Sequence, residues 1–161
     1  MNLKFKRVKL FLFDLEGVLF NQGDSPSELV LLLDEYFSDP IFEGCKFGIV
    51  SARENDALIA RLQSVKNCIV ISSTLDKVTA VDKLLRKLDM NYDSVFYIGD
   101  DLLDLPLLRK SYISAAPSNA RREVKRSVNM IFKTYGADNI LGELKKTYMK
   151  SKEAPSRGTK C

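Results

Sequence analysis

The chain has 161 residues, 45% of them apolar, which suffices for one compact core and leaves no room for a second large domain. It contains no histidine, which excludes Ser-His-Asp and Cys-His catalysis and every His-ligated metal site; its three cysteines outline no disulfide framework and favour a reducing cytoplasm. The net charge of +4 is carried by the C-terminus, where six Lys/Arg against one Glu from Lys145 to Cys161 leave residues 1–144 at −1, so no folded basic face for nucleic acid is expected.

No stretch approaches the roughly 20 apolar residues that span a bilayer, and a soluble chain is expected. Val8 to Phe13 reads as a buried parallel strand that ends at Asp14. Ser25, Pro26 and Glu28 then form a helix start of cap, first position and third position, which predicts a helix over 26–37 with Leu29, Leu32, Leu33 and Tyr36 as its apolar stripe. A strand over 45–50 ends at Ser51 and precedes a helix over 54–65. The alternation continues with strand 68–72, helix 75–88, strand 94–98, helix 105–110, strand 112–115 and helix 120–127. A last apolar run, 129–132, leads to a helix over 138–149. This order predicts an α/β fold, a Rossmann-like three-layer sandwich with a central parallel sheet. Residues 1–149 form the domain, and 150–161 are expected to be a flexible basic tail.

Asp14, Ser51 and Asp100 all stand at or within two residues of a strand's carboxyl end, where open parallel sheets form their ligand crevice. Asp14 and Glu16 are two residues apart, and Gly99-Asp100-Asp101-Leu102-Leu103-Asp104 brings a second acidic cluster with no Lys or Arg from 91 to 107. Up to five carboxylates would converge, and such repulsion calls for a cation. Oxygen donors without His or Cys favour Mg²⁺.

Ser51 is either the cap of the next helix or a holder of phosphate oxygen. Lys77 follows a cap expected at Thr74 and opposes the helix dipole there; it either reaches solvent or binds an anion. Together these residues suggest phosphoryl transfer with Asp14 as nucleophile, Glu16 as general acid and base, and Ser51 and Lys77 on the phosphate oxygens.

The ordered set Phe13-Asp14-Leu15-Glu16-Gly17-Val18-Leu19, Ile49-Val50-Ser51-Ala52-Arg53-Glu54, Asp76-Lys77 and Tyr97-Ile98-Gly99-Asp100-Asp101-Leu102-Leu103-Asp104-Leu105-Pro106 resembles the four motifs of the haloacid dehalogenase-like phosphatases. With Ser114-Ala115-Ala116-Pro117-Ser118-Asn119, it is most similar to the 3-deoxy-D-manno-octulosonate 8-phosphate phosphatases, which lack a large cap domain. The resemblance implies a phosphatase of a small phosphorylated sugar or sugar acid working through an aspartyl-phosphate. It also implies Mg²⁺ held by Asp14, the Glu16 carbonyl and Asp100, Asp104 holding Lys77, and a homo-oligomer such as a tetramer.

Glu16 replaces the usual Asp of that subfamily, the 16–51 interval is shorter and helical where those enzymes carry a β-hairpin, and Tyr135-Gly136-Ala137-Asp138-Asn139 replaces a Gly-Gly-Arg-Gly type loop. Arg53 is either a substrate contact or an ordinary surface residue. The competing reading is an inactive domain of the same fold kept for binding or assembly.

Overall fold

The computed structural model describes residues 5–153. Six parallel strands, β1 (Leu10–Phe13), β2 (Lys46–Val50), β3 (Cys68–Ile71), β4 (Val95–Ile98), β5 (Ile113–Ala116) and β6 (Met130–Ile131), form one sheet in the order β3-β2-β1-β4-β5-β6. The chain winds outward from β1 to β3, then returns beside β1 with β4 and winds the other way. The crevice at that reversal lies beyond the carboxyl ends of β1 and β4, the place where open α/β sheets bind ligands.

The pleat explains the composition of β1. Successive side chains point to opposite faces, so Phe11 and Phe13 enter one core while Leu10 and Leu12 enter the other. The phenylalanine side is covered by α1 (Pro26–Phe37), α2 (Ala57–Gln63) and α6 (Ala137–Glu153), through Leu33, Phe37, Leu62, Ile140 and Leu144 among others. The leucine side is covered by α3 (Lys77–Leu88), α4 (Leu105–Lys110) and α5 (Arg122–Lys125), through Val81, Leu85, Leu107, Leu108 and Val124. Phe37 stacks on Phe47 with ring centroids 4.3 Å apart, pinning α1 to β2. Truncating a buried phenylalanine of this kind to Ala costs about 3–5 kcal/mol.

Several boundaries differ from the sequence expectation, each for a local reason. Helix α1 starts as expected, with Ser25 Oγ accepting from the Glu28 N–H at 3.3 Å and Pro26 in the first turn. Its stripe is narrower: Leu29, Leu33 and Tyr36 are buried and Leu32 is only half-buried.

Helix α2 begins at Ala57 rather than 54, because Asp56 accepts from the Ile59 N–H at 3.0 Å and takes the cap. Helix α3 is capped by Asp76, not Thr74. The Asp76 carboxylate accepts from the Thr79 N–H at 3.1 Å and from Thr79 Oγ1 at 2.6 Å, whereas the Thr74 hydroxyl donates to the Asp76 carbonyl.

Between Glu16 and Ser51 there is no hairpin; an isolated bridge joins Glu16 to Phe20 and α1 follows. Helix α6 passes the expected end at 149 and continues to Glu153, so residues 150–153 of the expected tail are helical. The rest of that tail, 154–161 with Arg157, Lys160 and Cys161, lies outside the described residues. Among the described residues no helix is long and apolar enough to cross a membrane.

Candidate active site

Asp14 leaves β1 with its N–H still bonded to the Ile98 carbonyl at 2.9 Å, so the sheet itself fixes the residue at the crevice between β1 and β4. Its Oδ1 accepts from the Leu15 N–H at 2.9 Å and from Lys77 Nζ at 2.9 Å. Both donors fall on one oxygen, and Oδ2 takes neither. Asp100, two residues beyond β4, packs against the turn that follows Asp14. Gly17 there has φ +82°, and a Cβ on it would lie 1.8 Å from Asp100 Oδ2. Only glycine allows both that backbone conformation and that approach.

Lys77 is the first residue of α3 and is 5% exposed. Its ammonium donates to Asp104 Oδ1 at 2.7 Å as well as to Asp14, and lies 3.3 Å from the Tyr97 hydroxyl. Asp104 is saturated: Oδ1 also accepts from Tyr97 OH at 2.5 Å, and Oδ2 accepts from the Asp100 and Asp101 N–H groups at 3.0 and 3.1 Å. Gly99 makes room for it, since a Cβ there would meet Asp104 Cβ at 2.6 Å. The choice left open for Lys77 is thereby decided against solvent. Its position against the helix dipole is compensated by two buried carboxylates.

The electrostatics follow from this arrangement. Burial pushes the Asp14 carboxyl well above its ordinary range, the nearby Asp104 charge adds to that, and Lys77 opposes it. Burial also raises Asp100, a hydrogen bond with the Asp14 carboxyl opposes it, the charges of Asp104 and Asp101 add to it, and Lys77 opposes it. For Asp104 burial acts upward too, but the charge and hydrogen bonds of Lys77, with those of Tyr97 and the Asp101 amide, hold it below the usual value.

Oxygens of Asp14, Asp100 and Asp104 lie within 4.8 Å of one another. Asp104 has spent its acceptors on Lys77, Tyr97 and amides, whereas for Asp14 and Asp100 burial disfavours the charged form, a penalty that a divalent cation would relieve. The Glu16 carbonyl takes neither hydrogen bond of the local bridge, which run from Phe20 N–H to Leu15 O and from Gly17 N–H to Phe20 O. An all-oxygen set of Asp14, Asp100 and this carbonyl suits Mg²⁺.

All five expected carboxylates line one cavity, but only Asp14, Asp100 and Asp104 bring oxygens within 4.8 Å of one another. Asp101 accepts from the Leu102 N–H and pairs with Arg121 at 2.9 Å. The Glu16 side chain is drawn to Arg53 at 2.6 Å. Ser51 is 1% exposed and does not cap α2; its Oγ accepts from the Arg53 N–H at 3.0 Å, which still leaves its proton to donate.

Asp14, Glu16, Ser51, Arg53, Lys77 and Asp100 all line one cavity of about 410 Å³. A larger groove of about 550 Å³ lies between the starts of α1 and α6, lined by Glu28, Glu35 and Asp138 with leucines, and it holds neither Lys nor Arg to meet a phosphate.

Tyr97 is the site residue that motif spacing does not reveal. It is buried on the α3 side of β4, and alternation along Val95–Ile98 places it there, the one polar group among apolar neighbours.

Residues 52–144, more than half of the chain, match the family model described as haloacid dehalogenase-like hydrolase. A stretch of 75 residues, 47% of the chain, is 32% identical to phosphoglycolate phosphatase of Nitrosopumilus maritimus and spans only 32% of that protein. The 3-deoxy-D-manno-octulosonate 8-phosphate phosphatase of Haemophilus influenzae is 24% identical over 89% of this chain and 84% of its own length. Among solved structures, the 3-deoxy-D-manno-octulosonate 8-phosphate phosphatase of Moraxella catarrhalis, in complex with magnesium, phosphate and KDO, superposes with a TM-score of 0.73. It is 23% identical, over 92% of this chain and 89% of that one.

Proposed function

Since this chain belongs to the haloacid dehalogenase-like hydrolases, we propose that it is a Mg²⁺-dependent phosphatase of a small phosphorylated sugar or sugar acid, working through an aspartyl-phosphate at Asp14. The observation that carries this reading is the asymmetry of Asp14: Lys77 and the Leu15 amide occupy Oδ1 and leave Oδ2, in a cavity where carboxyl oxygens of Asp14 and Asp100 lie within 4.8 Å of each other. The sugar or sugar-acid class is supported by the Haemophilus influenzae and Moraxella catarrhalis relatives, whose names specify 3-deoxy-D-manno-octulosonate 8-phosphate.

In this reading Asp14 Oδ2 attacks phosphorus, and the bond from phosphorus to the leaving oxygen breaks. Glu16 gives a proton to that oxygen, then takes one from the water that attacks the aspartyl-phosphate; the phosphorus bond to Asp14 breaks and inorganic phosphate departs. Ser51 Oγ and Lys77 Nζ hold oxygens of the transferring group, where charge is greatest in the transition state. Asp14, Asp100 and the Glu16 carbonyl would hold Mg²⁺, which when bound supplies positive charge against the repulsion between carboxylate and phosphate. Tyr97 and Asp104 keep Lys77 in place without touching substrate.

An inactive assembly domain finds no observation in its favour, because nucleophile, lysine and acidic pair are all present and ordered around one cavity. The test is a phosphate-release screen of phosphorylated sugars and sugar acids with Mg²⁺, using Asp14→Asn as the blank. Wild-type turnover with a silent variant is expected; equal rates from the two proteins refute the nucleophile.

A further inference from the structure

Glu16 is not free at the mouth of the cavity. Arg53 Nη1 donates to its Oε1 at 2.6 Å, Arg53 Nε donates to Asp56 Oδ2 at 2.7 Å, and the guanidinium carbon lies 6.0 Å from the Phe20 ring centroid. Asp56 is itself fixed as the cap of α2. The guanidinium is therefore a planar fork whose other arm is anchored to the end of a helix. Arg53 is also tied at its backbone, where its N–H reaches Ser51 Oγ and its carbonyl accepts from the Ser73 N–H at 2.8 Å.

The glutamate has the opposite character. Its side chain is 61% exposed, and Arg53 is its only hydrogen-bond partner among the described residues. It also carries one more methylene than aspartate, hence one more torsion to be fixed before its carboxyl can meet a reacting oxygen. An exposed pair of this kind adds little to fold stability. What the contact does supply is position. It engages Oε1 and leaves Oε2 unshared, next to the cavity that holds Asp14 and Ser51.

We propose that Arg53 is a positioning residue for Glu16: anchored by Asp56, it grips Oε1 so that the other carboxyl oxygen is presented to the leaving group, compensating for the length of the glutamate. This rests on the reading of Glu16 as the acid and base of the phosphatase. A loss of position by about 1 Å can cost on the order of a hundredfold in rate.

The test compares kcat/KM at fixed pH with Mg²⁺ for two esters of similar size. Benzyl phosphate releases an alkoxide that needs a proton, and p-nitrophenyl phosphate releases a stable phenolate that does not. Arg53→Gln should lower the benzyl value by about tenfold or more with KM nearly unchanged, and leave the nitrophenyl value within about threefold. Arg53→Lys, which keeps a donor for Glu16, should recover part of the loss. In a Glu16→Asp background, where the shorter side chain no longer reaches the fork, Arg53→Gln should have little further effect.

Equal losses on both esters, a loss carried by KM, or a loss that persists undiminished with Glu16→Asp would overturn the proposal, the second by making Arg53 a direct phosphate ligand. Wild-type turnover of neither ester above the Asp14→Asn blank would instead bring down the phosphatase reading, and this inference with it.

Discussion

Lys77 Nζ donates to Asp104 Oδ1 at 2.7 Å with both side chains almost fully enclosed, at 4% and 1% exposure. The pair is the structural root of the site, because the same ammonium reaches Asp14 at 2.9 Å and is the positive charge nearest the proposed nucleophile.

Removing that charge should therefore unfold as well as inactivate. Lys77→Met leaves Asp14 and Asp104 buried without a cation, a change that costs about 3–5 kcal/mol. Urea unfolding without divalent ions should show the loss as a lower midpoint. A midpoint equal to wild type would mean that the two carboxylates are solvated, contrary to the burial described.

Gly17→Ala attacks the acidic pair from the other side. The new Cβ would fall 1.8 Å from Asp100 Oδ2 on a backbone at φ +82°, so Asp100 must move and the turn is strained. The expected result is a loss of more than about 1 kcal/mol in stability, together with weaker Mg²⁺ binding in calorimetric titration. Unchanged Mg²⁺ affinity would show that Asp100 is not a ligand.

Divalent binding should be visible without turnover. A ligand that binds only the folded state at a hundred times its Kd adds about 2.7 kcal/mol, so Mg²⁺ should raise the melting temperature and a chelator should reverse the rise. Asp100→Asn should abolish most of the effect. Persistence of the full shift in that variant would place the cation elsewhere.

Away from the site, Lys145 of α6 donates to Asp39, which precedes a short 3-10 turn after α1. This hydrogen bond, then that of the Ile41 N–H, hold the Asp39 carboxyl below its ordinary value of about 3.9. The contribution is complete above that ordinary value and is lost as pH falls through the lower native one. Asp39→Asn, whose side chain can keep the turn's cap, should cost less than about 1 kcal/mol near neutrality and nothing in more strongly acidic solution. Stability curves that stay parallel across this range would remove the pair from the acid dependence.

Much of the fold was legible because its signals are local. The apolar run from Val8 to Phe13 and the cap at Ser25 are read from neighbouring residues, and each element they predict is present, the strand starting at Leu10. Errors arose at helix ends. The cap of α3 was expected at Thr74, and the hydrogen bonds from Thr79 place it at Asp76 instead. The end of α6 was misplaced because a turn to polar composition after Tyr148 does not by itself stop a helix.

Which residues stand at the strand ends is legible in the chain alone: Asp14, Ser51 and Asp100 are identifiable there because parallel strands expose their carboxyl ends to one crevice. The chain also points to an all-oxygen site, since there is no histidine to offer. How the charges are shared is set by the folded arrangement. Folding gives Lys77 to Asp14 and Asp104, Arg121 to Asp101 and Arg53 to Glu16 through long-range contacts, and Tyr97 to Asp104 seven residues further on. The reason is physical: a carboxylate's role depends on which donors reach it and how much water remains, and both are set by residues far apart in the chain.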